Sequence, residues 1–261
     1  MKKYRSAQLR ITRIALLAIV IAVAFQTSSS ANHSWNGYHW ARTTSSFNLD
    51  LGSNLSSTWQ KYLTGASSDW SASTVLDTTP VAGGTRPRNC KATAGRVEVC
   101  NAAYGNTGWL GVAQIWVSGT HITQGTAKMN DTYFNTATYN TVSWHQLVMC
   151  QEVAHTFGLD HQDENFNNGN LGTCMDYTSN PDGPPANTHP NQHDYDELEA
   201  IYSHTDGFDS AGATTRSAAP AVLDNPSEWG QLMRTTHGAK TQVFERDFGN
   251  GEKIVTFVIW A

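Results

Sequence analysis

The spacing of apolar residues changes several times along the 261-residue chain. The first run is continuous: residues 14–25, IALLAIVIAVAF, follow a basic stretch formed by Lys2, Lys3, Arg5, Arg10 and Arg13. Twelve apolar residues are too few to span a bilayer, which takes roughly 20. Short segments of β character come next. Residues 45–51 read as a first strand, and Ser53 as the N-cap of a helix with Leu55, Trp59, Tyr62 and Leu63 at helical spacing. A strand is predicted around 73–77, an alternating one at 95–101 (GRVEVCN) and a longer apolar one at 107–119 (TGWLGVAQIWVSG). Residues 121–131, HITQGTAKMND, read as an edge strand running into a turn. From Ser143 the period lengthens. Trp144, Leu147, Val148, Gln151 and His155 fall on one helical face, and Gly158 can end that helix. A polar loop rich in Asn, Gly and Pro extends from Asp160 to about Gln192. A second helix then presents Tyr195, Leu198, Ile201 and Tyr202. Residues 207–220 have the composition of a linker. The last segment predicts two strands around Asn250-Gly251, a hairpin turn signal.

The N-terminal pattern of basic segment, short apolar core and small residues is that of a signal peptide, with Ser29 and Ala31 at the −3 and −1 places before Asn32. The predicted organisation is a signal peptide over 1–31, a main domain over 32–206, a linker over 207–220 and a C-terminal β-hairpin extension over 221–261. Loss of residues 1–31 leaves 12 Lys+Arg against 22 Asp+Glu, a net of −10. Such a chain has no electrostatic case for nucleic acid or an anionic membrane surface. Only 15% of residues are charged, and Trp is frequent, both of which suit a secreted protein. Cys90, Cys100, Cys150 and Cys174 suggest two disulfides in an exported chain. Four cysteines allow three pairings; Cys90–Cys100, closing a short hairpin-like loop, and Cys150–Cys174 are favoured.

The chemistry lies in residues 150–161, CQEVAHTFGLDH. Residues four apart share a helical face, so Gln151 and His155 can grip one ion. Gly158 lets the chain turn and bring His161 back to the same point. Two imidazoles and an amide oxygen leave a fourth position open, as in a catalytic zinc site. Glu152 stands beside the ion, placed to accept a proton from an acidified water. His145 is about 15 Å from His155 along the helix and cannot replace Gln151. Cys150 is turned about 140° off that face. His189 and His193 could fold back and remain alternatives.

With Gln151 read as His, this segment is HExxHxxGxxH. It resembles the metzincin clan of zinc endopeptidases, in particular matrixins and snapalysin-like bacterial enzymes. GTCMDYT, residues 172–178, resembles their Met-turn, with Met175 fourteen residues after His161 and Tyr177 two further on. The resemblance spans roughly residues 40–206, specific in these two motifs and loose elsewhere. It implies an α+β fold, a zincin domain with a twisted, mostly parallel mixed sheet, an active-site helix and a C-terminal helix. It implies Zn2+ on Gln151, His155 and His161, with Glu152 as general base. Tyr177 is implied as ligand or oxyanion stabiliser, the alternative being a packed core tyrosine. Met175 is structural, and a Cys150–Cys174 bridge would clamp the Met-turn to the active helix. A peptide would lie along the edge strand near residues 121–129.

The expected function is a secreted, monomeric zinc metalloendopeptidase acting on a protein or peptide substrate, with no membrane contact after signal cleavage. Gln151 is the departure, because an amide oxygen is a poorer zinc ligand than imidazole. The rival reading is therefore a metzincin-like protein that binds peptide or metal without cleaving. A carbohydrate-binding protein, suggested by the Trp content, is a third. Residues 163–170, DENFNNGN, space oxygens like the start of a Ca2+ loop, but the glycine is one place late and the terminal Glu is missing. A polar turn is the better reading.

Overall fold

The computed structural model describes residues 33–214, 222–235, 238 and 240–261. The expected signal peptide, 1–31, lies outside the described residues. None of the described helices is long and apolar enough to cross a membrane.

Nine strands form one mixed sheet. They are β1 (His39–Trp40), β2 (Phe47–Asn54), β3 (Leu76–Ala82), β4 (Val97–Ala102), β5 (Trp109–Ser118), β6 (His121–Asn130), β7 (Gln231–Thr235), β8 (Thr241–Gly249) and β9 (Glu252–Trp260). The helices are α1 (Ser57–Trp70), α2 (Asp131–Phe134), α3 (Val142–His155) and α4 (Gln192–Ile201). The order across the sheet is β3-β2-β4-β6-β5-β9-β8-β7, with β1 pairing to the start of β6. Pairs on the β3 side, from β3 through β4 to β6, are parallel. From β6 onward every pair is antiparallel. The sheet is therefore α+β in class and parallel in only about half its width.

Several predicted boundaries move. Ser53 belongs to β2, and the N-cap of α1 is Ser56. Trp59, Tyr62, Leu63, Ala66 and Trp70 form the buried face of α1. The strand expected near 73–77 runs instead from Leu76 to Ala82. Pro80 is tolerated there because β3 is an outer strand paired on one side only.

The larger correction concerns β6. Residues 121–129 are not an edge, since β6 is bonded to β4 on one flank and β5 on the other. Its buried stretch from Gln124 to Asn130 reflects that central place. Asn250 and Gly251, both at positive φ, turn β8 into β9, and β9 enters the sheet along β5. Residues 207–213, read from composition as the start of a linker, are held down. Ser210 N bonds Ala41 O at 2.9 Å and Gly212 N bonds Gly95 O at 2.7 Å.

The main core lies between the sheet and helices α1, α3 and α4. It is filled by Trp40, Trp59, Trp70, Phe134, Phe157 and Phe257 among others. A smaller cluster built on Trp109, Trp116 and Trp229 includes Val112, Ile254 and Val258 of β5 and β9. Most of the Trp content is thus buried packing, which removes the basis for a carbohydrate platform.

α3 is nearly all buried, including His145, Gln151, Glu152 and His155. Thr141 caps its start by accepting a bond from Trp144 N. It ends in the loop at Gly158, which has φ +98°. A Cβ there would stand 2.1 Å from Tyr38 O. The glycine is thus required both by its backbone conformation and by contact with the N-terminal segment. Gly158→Ala is expected to cost about 2 kcal/mol or more, since both strain and overlap must be relieved. Urea unfolding measures this; an unchanged midpoint would contradict the packing described.

Candidate metal and catalytic site

The turn after α3 brings two imidazoles together. His155 Nε2 and His161 Nε2 lie 3.0 Å apart. His155 Nδ1 is 2.8 Å from Leu159 O, so Nδ1 carries the proton and Nε2 keeps its lone pair. His161 Nδ1 faces Tyr177 Oη at 2.8 Å and Asp160 Oδ1 at 3.3 Å. This is the arrangement of paired metal ligands, in which the outer nitrogen is held by a carbonyl or carboxylate and the inner one is free.

Gln151 is one helical turn before His155. Its Nε2 donates to Cys174 O at 3.0 Å, which commits the amide NH2 to the 172–178 turn. Its Oε1 is buried and has no hydrogen-bond partner among the described residues. Oε2 of Glu152 is buried and unpartnered in the same way. Orphaned buried oxygens are uncommon in folded proteins, and two on consecutive residues of one helix mark a place built for something else. The donor set therefore fits a cation: two imidazole nitrogens that share one proton between them at 3.0 Å, which an ion would replace, and an amide oxygen lacking a donor. Glu152 packs against β5 at Gly111, where a Cβ would meet Glu152 Oε1 at 2.4 Å.

The other expected groups take defined places. Met175 is fully buried; its N donates to Thr173 Oγ1 at 2.9 Å and its O accepts from Gln162 N at 2.7 Å. Both cysteine pairs are bonded as favoured, Cys90–Cys100 and Cys150–Cys174, with Cα separations of 5.9 and 6.0 Å. The second ties α3 to the turn beside Met175. His189 pairs with Asp69 at 2.7 Å, and His193 stacks on His33, so neither takes the place of Gln151. His145 packs among Trp59, Tyr62 and Phe134. In the 163–170 segment, Asp163 and Asn165 side chains accept backbone N–H bonds two residues ahead, and Asn168 donates to Asp163. That is a polar turn with its oxygens already used.

Burial sets the electrostatics. It pushes the Glu152 carboxyl well above the ordinary carboxylate range, with nothing nearby to oppose it. Burial, aided by the neighbouring His161, pushes His155 well below the usual imidazole value. His161 is also lowered by burial, against the pull of Asp160. Tyr177 is raised by burial, partly offset by a hydrogen bond with Thr241. Burial alone would raise Asp160, but hydrogen bonds from His161 and Arg234 outweigh it and hold the carboxyl low.

What buries the site was not visible in the motif. Phe257 of β9 stacks flat on His155, with ring centroids 4.4 Å apart and planes 3° from parallel. Thr241 of β8 bonds Tyr177. Arg234 of β7 pairs with Asp160 and, at 2.8 Å, with Glu164. All three C-terminal strands thus touch the site, and β9 fills the antiparallel flank of β5 from Trp109 to Ser118.

No family model matches this chain, nor does any curated protein. Among solved structures, one that is similar is high choriolytic enzyme 1, a hatching enzyme zinc-protease from the medaka fish Oryzias latipes. The identity is 11%, over 69% of this chain and 98% of that one, with a TM-score of 0.34. A superposition this loose assigns no chemistry, and the site has to be read from its own residues.

Arg234 is the guanidinium that the described residues place on the buried Asp160 carboxylate, and is itself about a third exposed. Arg234→Ala is expected to destabilise the protein by about 1–3 kcal/mol, between an exposed pair and a fully buried one, because solvent reaches the arginine. Chemical denaturation reads this out; no change would mean that Asp160 is satisfied without it.

Proposed function

We propose that this protein is a secreted zinc-dependent metalloendopeptidase of metzincin type, with its cleft closed by its own C-terminal strands in the form described. One observation carries the reading: His155 and His161 converge at 3.0 Å beside two consecutive residues, Gln151 and Glu152, whose buried oxygens lack partners. His155 Nε2, His161 Nε2 and Gln151 Oε1 would hold the metal. Bound Zn2+ would supply Lewis acidity toward a peptide carbonyl and acidify a water.

The chain's residues do the rest. Glu152 takes the proton of the attacking water and passes it to the leaving amine. For that it must be ionised, so the burial that now raises its pKa has to be relieved or balanced by a cation. The Tyr177 hydroxyl, next to His161, is placed to donate to the oxyanion once Thr241 moves away. Met175 and the Cys150–Cys174 bridge fix the floor of the site. Gly111 leaves room for the Glu152 carboxylate under β5. An extended peptide would pair with β5 as an added strand, in the register that β9 now occupies. Substrate entry therefore requires β9 to leave.

The second reading, a protein that captures metal or peptide without turnover, is favoured by the same seal and by the amide ligand. The two separate on purified mature chain assayed for metal by mass spectrometry and for casein cleavage, before and after cutting at a protease site engineered into residues 215–221. Expected: His155→Ala loses one zinc equivalent relative to wild type, Glu152→Ala keeps its zinc without cleaving, and the cut raises wild-type turnover at least about 10-fold. Gln151→His is expected to bind zinc at least about 10-fold more tightly. Absence of cleavage from wild type, cut or uncut, would establish the binding reading instead.

A milder probe is Gly111→Ala. The added methyl displaces Glu152 Oε1, so turnover of the cut protein should fall by about 10-fold or more with zinc content unchanged. Wild-type turnover in this variant would remove Glu152 from its assigned role.

A further inference from the structure

A second set of ligands stands apart from the Gln151–His161 set. His39 and His121 face one another across the β1–β6 pairing, where they are register partners. The chain that leaves α4 adds His204 and Asp206 to the same point. His39 Nε2 is 3.2 Å from His204 Nε2 and 3.6 Å from Asp206 Oδ1. His121 Nε2 is 3.1 Å, and His204 Nε2 3.8 Å, from that same Oδ1. Zinc bound at about 2.0–2.1 Å in a tetrahedron needs ligand atoms about 3.3–3.4 Å apart, and the three separations among His39, His204 and Asp206 lie close to that value.

His39 meets His121 at 76° and His204 at 82°, edge to face in both cases. His39 Nδ1 is 2.7 Å from Gly37 O, which fixes the proton there and leaves the Nε2 lone pair pointing inward. Asp206 is held by its other oxygen, since Oδ2 accepts from Arg42 N at 3.0 Å. Both are the outer contacts by which proteins orient metal ligands. Without an ion, His204 Nε2–H can donate to His39 Nε2 at 3.2 Å and His121 Nε2–H to Asp206 Oδ1 at 3.1 Å, and a cation would replace the His204 proton.

We propose that His39, His204 and Asp206 bind a Zn2+ ion that braces the fold, with His121 holding the ligating oxygen of Asp206. Two imidazole nitrogens and one carboxylate oxygen suit zinc, and water fills the fourth position beside the exposed His204. The ion ties β1 to the segment after α4, and His121 joins the start of β6 to it through Asp206. The residues beside its ligands hold the end of α3. Trp40 Nε1 donates to Thr156 O at 2.9 Å, and the Tyr202 hydroxyl donates to Phe157 O at 3.0 Å. The same hydroxyl accepts from Trp40 N at 3.2 Å. The ion thus braces the two carbonyls just before Gly158, the turn that brings His161 round to His155.

The test uses full-length mature protein and zinc alone, with Co2+ as a visible reporter of tetrahedral sites. His204 is 53% exposed, so His204→Ala removes a ligand with little disturbance to packing. The expected results are three. A His155→Ala, His161→Ala chain still takes up one equivalent of zinc and gives the intense visible bands of tetrahedral Co2+. His204→Ala in the wild-type background lowers zinc stoichiometry by one and weakens that site by more than about 100-fold. Zinc raises the melting temperature of Glu152→Ala protein, and His204→Ala added to it reduces that rise by the share of its own ion. The proposal is overturned if zinc stoichiometry and the zinc-dependent melting shift are the same with and without His204→Ala. The melting comparison covers the case in which the double histidine variant fails to fold.

Discussion

The turn at Gly158 is the constraint on which the arrangement rests. A helix alone can present Gln151, Glu152 and His155, but it cannot return His161 to the same point. That return requires a left-handed residue directly after α3, in contact with Tyr38 O at a distance no side chain allows. The neighbouring carbonyls are then fixed from outside. Trp35 N bonds Gly158 O, Trp40 Nε1 bonds Thr156 O, and Tyr202 Oη bonds Phe157 O. Two residues near the start of the described chain and one after α4 thus hold one loop, and the loop sets the distance between two imidazoles.

The second organising feature is dryness. Gln151, Glu152, His155 and Tyr177 are all buried, and desolvation is the first cause that displaces the titration of Glu152, His155 and Tyr177. Charge is kept out of the centre and confined to its border, where Arg234 meets Asp160 and Glu164. Phe257 lies flat on His155, where it excludes water from the imidazole face. The interior is arranged for neutral groups, and it changes character only when a cation enters or β9 withdraws.

The sequence disclosed the site better than the sheet around it. Spacing within CQEVAHTFGLDH was enough to place Gln151, Glu152, His155, Gly158 and His161, because helical periodicity is local. Of three possible cysteine pairings, the one favoured for the short loop between Cys90 and Cys100 is the one observed. By contrast, residues 121–129 read as an edge because polar and small residues such as Gln124, Gly125 and Thr126 interrupt their apolar pattern. In the sheet those positions are central and buried. Which strand lies beside which is decided by long-range pairing, and nothing in residues 252–260 announces that they will bond to residues 109–118. His39, His121, His204 and Asp206 were missed for the same reason. They are two close residues and two distant singles, with no spacing that resembles a ligand motif.

The place of β9 in the sheet has a consequence for how the chain assembles. It is the last described strand in sequence but lies between β5 and β8 in space. Its partner on one side precedes it by about 140 residues, as Gln114 and Thr256 illustrate. Contacts of that span form late, because the loop they close must first be ordered. During synthesis, when N-terminal parts fold first, β5 has an unpaired flank until β9 emerges. A nascent chain would therefore pass through a stage in which α3 is formed and the flank of β5 lies open beside it, before the chain's own last strand fills it.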